Sequence, residues 1–360
     1  MGGETQSVYL VACCRTAIGA LNGSLRHVSA GELGAAVVRE VLRRSGTAPR
    51  LVEALVLGSA SAAGPAHILA GQVAEKAGFS PSARIAGMAD GSGINALLRG
   101  ARSIRTGAAQ LVAAGGAGNS SAAGRGAIPL RQETCAGNAH CEKQCVPREE
   151  WEAFVLASRE KAQAAGLADR FRPEIVPAVP VDGGLLRMLE ADEYLTMAAH
   201  QLPAGCNGDG MSMEPPGDGA AAALLASGAA VCRYGLTPMA RLLSWGQAGV
   251  PAEVSGDSMV LACRQSLRKA GLTADDIDLA EFGESFPPQT VAAVRSLGFG
   301  LERVNVNGGG IALGAPAGCG GLRMIVTLLH ALRGRAYAKR GMAALNTGTG
   351  QSLAVVFETC

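Results

Sequence analysis

The sequence predicts an α/β protein made of two copies of one unit. Short apolar runs of strand type alternate with amphipathic helical stretches along most of the chain, as expected where helices pack on a sheet. A helix that opens in small residues, followed by a strand tailed with glycine, also occurs twice, which marks an internal repeat. The composition agrees. Of 360 residues, 48% are apolar, only 17% are charged and 50 are glycine. Such a chain can bury a large core under closely packed helices and is not disordered.

In the first half, residues 8–14 and 54–58 read as strands, with a helix over 30–44 between them. A helix over 91–106 follows, with few charges until Arg99, Arg102 and Arg105. Residues 111–114 form a short continuous apolar strand of the kind covered on both faces, ending at Gly115-Gly116. Pro147-Arg148-Glu149-Glu150 opens a helix through residue 165, because proline in the first turn and acids beside it suit a helix N-terminus. The stretch 205–219, rich in Gly, Met, Pro and Asp, reads as a functional or hinge-like loop before a strand over 221–225. In the second half Gly318-Cys319-Gly320-Gly321 opens a helix to residue 332. Strands over 342–345 and 353–357 then flank the turn Gly348-Thr349-Gly350. The expected division is residues 1–116 as the first part of an N-terminal half, 117–202 as a covering region, 203–232 as the completion of that half, and 233–360 as a C-terminal half.

A net charge of +2 without a basic run gives no reason to expect nucleic acid or an anionic membrane surface as partner. The polar start, residues 1–7, lacks the basic and apolar regions of a signal peptide. No run approaches the roughly 18 apolar residues of a spanning helix, so a soluble cytoplasmic protein is expected. Ten cysteines scattered through such a chain are expected to be mostly reduced core residues. The denser group Cys135, His140, Cys141 and Cys145 puts two thiols four residues apart, but its spacing matches no standard zinc motif. It reads as a covering loop with buried thiols, and no metal is expected.

Several strings then belong together. They are Arg15-Thr16-Ala17-Ile18-Gly19, then Glu142-Lys143 with Arg148-Glu149-Glu150 and Phe154, then residues 236–241 (Leu-Thr-Pro-Met-Ala-Arg) and Ala270-Gly271-Leu272. The last is Val304-Asn305-Val306-Asn307-Gly308-Gly309-Gly310-Ile311-Ala312-Leu313-Gly314. In this order they resemble the motifs of the thiolase superfamily, in its acetyl-CoA acetyltransferase-like branch, including R-T-P-I-G and V-N-V-N-G-G-A-I-A-L-G. The resemblance runs almost end to end, with a shortfall over about 116–139. It implies the thiolase fold: two βαβαβαββ halves forming five layers, α-β-α-β-α, with a shortened loop domain. The missing stretch falls where biosynthetic thiolases carry segments that help build tetramers, so the resemblance implies a homodimer.

The same resemblance locates the site and its departures. The family nucleophile, the cysteine of V-C-G-S-G at a helix N-terminus where the dipole favours a thiolate, corresponds to Asp90 in Ala89-Asp90-Gly91-Ser92-Gly93. The histidine of G-H-P corresponds to Ala315 in Gly314-Ala315-Pro316, and the second cysteine, of C-x-G, to Asn346 in Asn346-Thr347-Gly348. N-E-A-F corresponds to Gly283-Glu284-Ser285-Phe286, which keeps Glu284 and loses the asparagine at Gly283. The backbone N–H groups of Asp90 and Gly348 stand where the family has an oxyanion hole. Asp209, Ser212 and Glu214 lie in the loop that corresponds to the substrate-contacting A-G-N-A-S region, and Ser212, Glu214 and Gly314 are the expected substrate-binding positions.

These replacements imply that cysteine-based thiolysis and Claisen condensation are lost. Asp90 suits a helix cap or a general base and makes a poor nucleophile toward thioesters. Cys319, also at a helix start, where a thiol's pKa can fall, is the remaining candidate thiol, although the resemblance implies an unused position, since many thiolases carry alanine or cysteine there without using it. His67 and His200 are expected to be surface or packing residues. One reading is an enzyme that acts on an acyl thioester by acyl transfer, decarboxylation, hydrolysis or C–C cleavage, with Asp90, Asn346 and Glu284 as its polar groups. Its substrate would ride on coenzyme A or an acyl carrier protein, and no cofactor is expected. Another is a non-catalytic partner of an active thiolase or ketosynthase, and a third is a module that holds a thioester without turnover.

Overall fold

The computed structural model describes residues 6–59, 66–88, 93–122, 146–176, 179–181, 185–187, 189–197, 214–251, 255–348 and 350–360. In chain order the first half holds β1 (Val8–Arg15), the short β2 (Gly19–Ala20), α1 (Ala30–Ser45), β3 (Ala54–Gly58), α2 (Ala66–Lys76), β4 (Arg84–Met88), α3 (Gly93–Arg105) and β5 (Leu111–Asn119). A covering region follows, with α4 (Arg148–Leu167), the hairpin β6 (Val179–Val181) and β7 (Leu185–Arg187), and α5 (Glu193–Thr196). Then come β8 (Pro216–Ser227), α6 (Gly228–Tyr234), β9 (Ala240–Gly249), α7 (Ser255–Ala270), β10 (Leu279–Phe282), α8 (Pro287–Leu297) and α9 (Gly310–Leu313). The chain closes with β11 (Ala315–Pro316), α10 (Gly320–Arg333), β12 (Arg340–Gly348) and β13 (Gln351–Thr359).

All the strands except the β6–β7 hairpin, which stands apart, make one sheet in the order β10-β12-β13-β9-β1-β8-β5-β3-β4, with β2 and β11 paired to β8. Its two halves are copies. From the outer edge inward, β4-β3-β5-β8-β1 corresponds to Val304, β10, β12, β13 and β9, with the isolated parallel bridge Ala280–Val304 standing in for β4. In each copy the outer pairs are parallel and the inner pairs antiparallel. The halves join where β1 runs antiparallel to β9 over Val8–Leu10.

Side-chain alternation builds the layers. In β8, Ala221, Ala223 and Leu225 face the centre, while Ala220, Ala222 and Leu224 face α1 and α2 on the outside. In β13, Leu353, Val355 and Phe357 face the centre, while Ala354 and Val356 face α7 and α8. A period of two on strands buried on both faces leaves no polar side to the sheet. The central layer is α3 and α10, packed against each other and between the halves, so the order of layers is α-β-α-β-α.

Most expected elements lie within two residues of their observed bounds, and β5 is the informative departure. It does not end at Gly115-Gly116 but continues to Asn119, paired with β8 throughout. A Cβ at Gly116 or Gly118 would collide with the carbonyls of Gly318 or Ala317. These glycines therefore mark a close backbone crossing and not a turn. β8 likewise begins at Pro216, inside the expected loop, and α10 begins at Gly320, with Cys319 as its N-cap.

The covering region is fastened through Arg15, which is fully buried. Its Nε donates to Glu174 (2.6 Å), and its two Nη atoms donate to the two oxygens of Asp192 (2.7 and 2.9 Å). Asp192 also accepts from the Ile18 amide, and Glu174 from the Thr327 hydroxyl. Two carboxylates around one guanidinium, each with a further donor, satisfy charges that would otherwise be costly inside the protein. We expect Asp192→Ala to lower unfolding free energy by about 3–5 kcal/mol. Breaking the exposed Arg172–Asp169 pair should cost at most about 1 kcal/mol. Denaturant titration of both variants checks the contrast.

Candidate active site

Gly283, Glu284, Asn346 and Gly348 gather at the carboxyl ends of β10 and β12, where ligands bind in open α/β sheets. β10 and β12 run parallel, with Phe282 opposite Ala344, and the Gly283 amide donates to the Ala344 carbonyl. Gly283-Glu284-Ser285 leaves β10 beside Asn346, which is near the end of β12.

Asn346 is held from several sides. Its Oδ1 accepts from Ser352 Oγ (2.7 Å) and Ser258 Oγ (3.3 Å), and its Nδ2 donates to Gln289 Oε1 (3.1 Å). The two serine hydroxyls also lie 2.7 Å apart. The amide is therefore oriented by α7, α8 and β13 together. It is partly exposed, while Ser258, Ser352 and Gln289 are buried.

Glu284 is buried and bonded on both oxygens. Ser158 Oγ lies 2.8 and 2.9 Å from them, Asn305 Nδ2 donates at 2.7 Å, and the Ile311 amide donates at 3.0 Å. Ser158 in turn accepts from the Gly309 amide. Burial pushes the Glu284 carboxyl above its ordinary range, against the pull of Asn305 and the Ile311 amide. So placed, Glu284 ties α4 to the 305–311 loop and positions the site.

Glu214 sits on the other side of the same strand end. Its Oε1 accepts from the Glu284 amide (2.9 Å) and its Oε2 from the Ser285 hydroxyl (2.8 Å). The carboxylate lies over Gly310, where any Cβ would strike it. Gly314 is left-handed (φ 92°) and packs under the Tyr194 ring. Ala315 begins β11 and is half-buried, donating its amide to Pro215. At Gly283 a Cβ would press on Leu345 at 3.0 Å, so an asparagine there needs Leu345 to move.

Cys319 corrects an expectation. It is buried, its thiol faces the Pro316 carbonyl at 3.7 Å, and burial pushes its pKa up to about 12. Loss of hydration outweighs its place at a helix start and the nearby Arg323 and Arg15. A thiol so placed is a packing residue and not an activated nucleophile. Cys13, Cys14 and Cys263 are buried as well. Asp90, Ser212, Asp209, His200 and the group Cys135, His140, Cys141 and Cys145 lie outside the described residues. His67 is exposed on α2, and Gly348 ends β12 opposite Gln351. Among the described residues no cluster of His, Cys, Asp or Glu is placed to hold a metal, and no helix is long and apolar enough to cross a membrane.

Ser158, Ser258, Gln289 and Ser352 were not singled out from the sequence. Each meets its partner across a long stretch of chain except Ser352, six residues from Asn346. Asn305 lay in a recognised string, and its positive φ of 44° marks a position that asparagine tolerates better than most residues.

One neighbour titrates where stability is measured. Glu281 on β10 is buried, its Oε2 has no partner among the described residues, and burial pushes its pKa up to about 8 despite Arg323. The native state thus keeps this proton while the unfolded chain releases it near 4.5. The stabilisation is complete below that value and fades as pH rises through about 8. We expect wild type to lose about 3–5 kcal/mol relative to Glu281→Gln between pH 4.5 and 8.5, as read by denaturant midpoints across pH.

The comparisons with known proteins agree with this architecture. The thiolase N-terminal domain family matches residues 8–144, and the thiolase C-terminal domain family matches residues 236–359. An acetyl-CoA acetyltransferase of Pseudomonas aeruginosa is 38% identical over 388 aligned positions, covering 97% of this chain and 98% of that protein. One from Chromobacterium violaceum is 35% identical, covering 98% and 99%. Human mitochondrial 3-ketoacyl-CoA thiolase superposes with a TM-score of 0.89 at 28% identity, covering 99% of this chain and all of that one. The Acat5 thiolase of Ascaris suum, in complex with coenzyme A, gives 0.87 at 28% identity with the same coverage. With both domain families matched in order and these relatives aligned end to end, the chain belongs to the thiolase family.

Proposed function

We propose that this protein binds an acyl thioester, on coenzyme A or an acyl carrier protein, and acts on it without a cysteine nucleophile. The reaction is acyl transfer, decarboxylation, hydrolysis or carbon–carbon cleavage, and Asp90 serves as base or electrostatic element. Coenzyme A thioesters are the substrate class indicated by relatives named acetyl-CoA acetyltransferase and by the thiolase solved with coenzyme A.

The observation that carries the reading is Asn346. It stands where the family motif has a cysteine, and its amide is oriented by Gln289, Ser352 and Ser258. Buried polar groups are costly unless partnered. Two of the changed positions have become small, Gly283 and Ala315, but the Asn346 position keeps an ordered polar set of Gln289, Ser258 and Ser352. The Asn346 amide can offer a hydrogen bond to a developing oxyanion and cannot form a thioester.

The test is a panel of acyl- and β-ketoacyl-coenzyme A thioesters, followed by coenzyme A release and product mass in wild type and Asp90→Ala. Turnover that falls by about a hundredfold or more in the variant is the expected result. Turnover untouched by the substitution contradicts the role of Asp90. An absence of turnover with every thioester contradicts the enzyme reading and favours a non-catalytic partner of an active thiolase or ketosynthase.

We also propose a homodimer. The sheet ends at β4, which has no strand on its outer side among the described residues and exposes Ile85. An uncovered edge is a pairing surface. Ile85→Lys is expected to shift a dimer toward monomer in light scattering; an unchanged mass would refute an interface at this edge.

A further inference from the structure

We propose that Glu214 selects the acyl group by charge, disfavouring acyl groups that end in a carboxylate and favouring those that bear an ammonium or another hydrogen-bond donor. The inference rests on the acyl-thioester reading above and extends it to the class of acyl group.

Three departures from the family strings interlock at this point. The loop corresponding to A-G-N-A-S carries Glu214, the alanine of N-E-A-F is Ser285, and the alanine of V-N-V-N-G-G-A is Gly310. In the structure these residues are one another's neighbours. Ser285 Oγ donates to Glu214 Oε2, and Glu214 Oε1 lies where a side chain at Gly310 would stand. A serine in place of alanine supplies a donor, and a glycine in place of alanine supplies room. The third fixed partner is the Glu284 amide, whose own side chain is locked by Ser158, Asn305 and the Ile311 amide. The carboxylate is thus held on rigid supports at a strand end that bears the site.

Among the described residues no lysine, arginine or histidine forms an ion pair with Glu214. Glu284, whose amide donates to Glu214, is pushed up by burial and in part by Glu214. A carboxylate has about four acceptor positions. Among the described residues two of Glu214's are used, by the Glu284 amide and the Ser285 hydroxyl, and the residue is only partly buried, which leaves acceptor positions for a ligand. In a medium of intermediate dielectric, a second carboxylate a few ångströms away is repelled and an ammonium attracted.

The test is equilibrium binding, by calorimetry, of three thioesters matched in chain length: propionyl-, malonyl- and β-alanyl-coenzyme A, neutral, anionic and cationic at the acyl end. In wild type the malonyl thioester is expected to bind at least about tenfold more weakly than the propionyl one, and the β-alanyl thioester more tightly. Glu214→Gln, which keeps shape and removes charge, is expected to bring both ratios, each taken against the variant's own propionyl affinity, to within about threefold of one. Should that variant fail to fold, Glu214→Ser carries the same test. Ratios that do not move in a folded variant, or a wild type that does not discriminate, would overturn the charge selection alone. A wild type that binds none of the three overturns the thioester reading on which it stands.

Discussion

The architecture depends on how closely α3 and α10 approach the sheet and each other. A Cβ at Gly93 would meet Leu322 Cβ at 2.8 Å, and the glycines of β5 lie directly beneath the backbone of residues 317–318. This layer has no room for side chains at those points, so the two halves close on it at one spacing only. Packing at such density turns small displacements into collisions. The result is that the first turns of both central helices and the ends of β10 and β12 are fixed relative to one another. The departures Gly283 and Asn346 lie at those strand ends.

On this frame the polar groups form two clusters with different roles. Arg15, Glu174 and Asp192 clamp the covering region to the first half, far along the chain from one another but joined at 2.6–2.9 Å. Glu284, Ser158 and Asn305 clamp α4 to the second half. The covering region is therefore held by one buried carboxylate network on each half. Between these clamps the positions of Asn346, Glu214 and Ser285 are set by partners that are themselves buried or bonded. This is the support that a binding or catalytic constellation needs to keep its geometry.

Much of the fold was legible in the sequence, because apolar runs on doubly covered strands and the repeated helix–strand unit are local signals. The glycines at 115–118 misled, since glycine in a strand and glycine in a turn look alike until the partner at 317–318 is known. Cys319 misled for a related reason: its helix-start position is local, whereas the burial that raises its pKa comes from the packing of both halves. The motif positions Glu284, Asn346 and Glu214 were found from the family strings. Their partners Ser158, Ser258 and Gln289 were not, because a serine or glutamine on a helix carries no mark of the residue 57 to 126 positions away that it will meet. Asp90 and Ser212 lie outside the described residues, and their roles rest on the sequence alone.

The proposed chemistry turns on the absence of a cysteine nucleophile, which an acyl-trapping measurement addresses directly. The protein would be mixed with acetyl- and acetoacetyl-coenzyme A, quenched in acid, and its cysteine peptides mapped by mass, with hydroxylamine release as the check for a thioester. The expected result is that Cys319 and every other cysteine remain unacylated. A hydroxylamine-labile acyl group on Cys319, formed on the timescale of turnover, would contradict the proposal and return the protein to covalent thiolase chemistry at a displaced thiol.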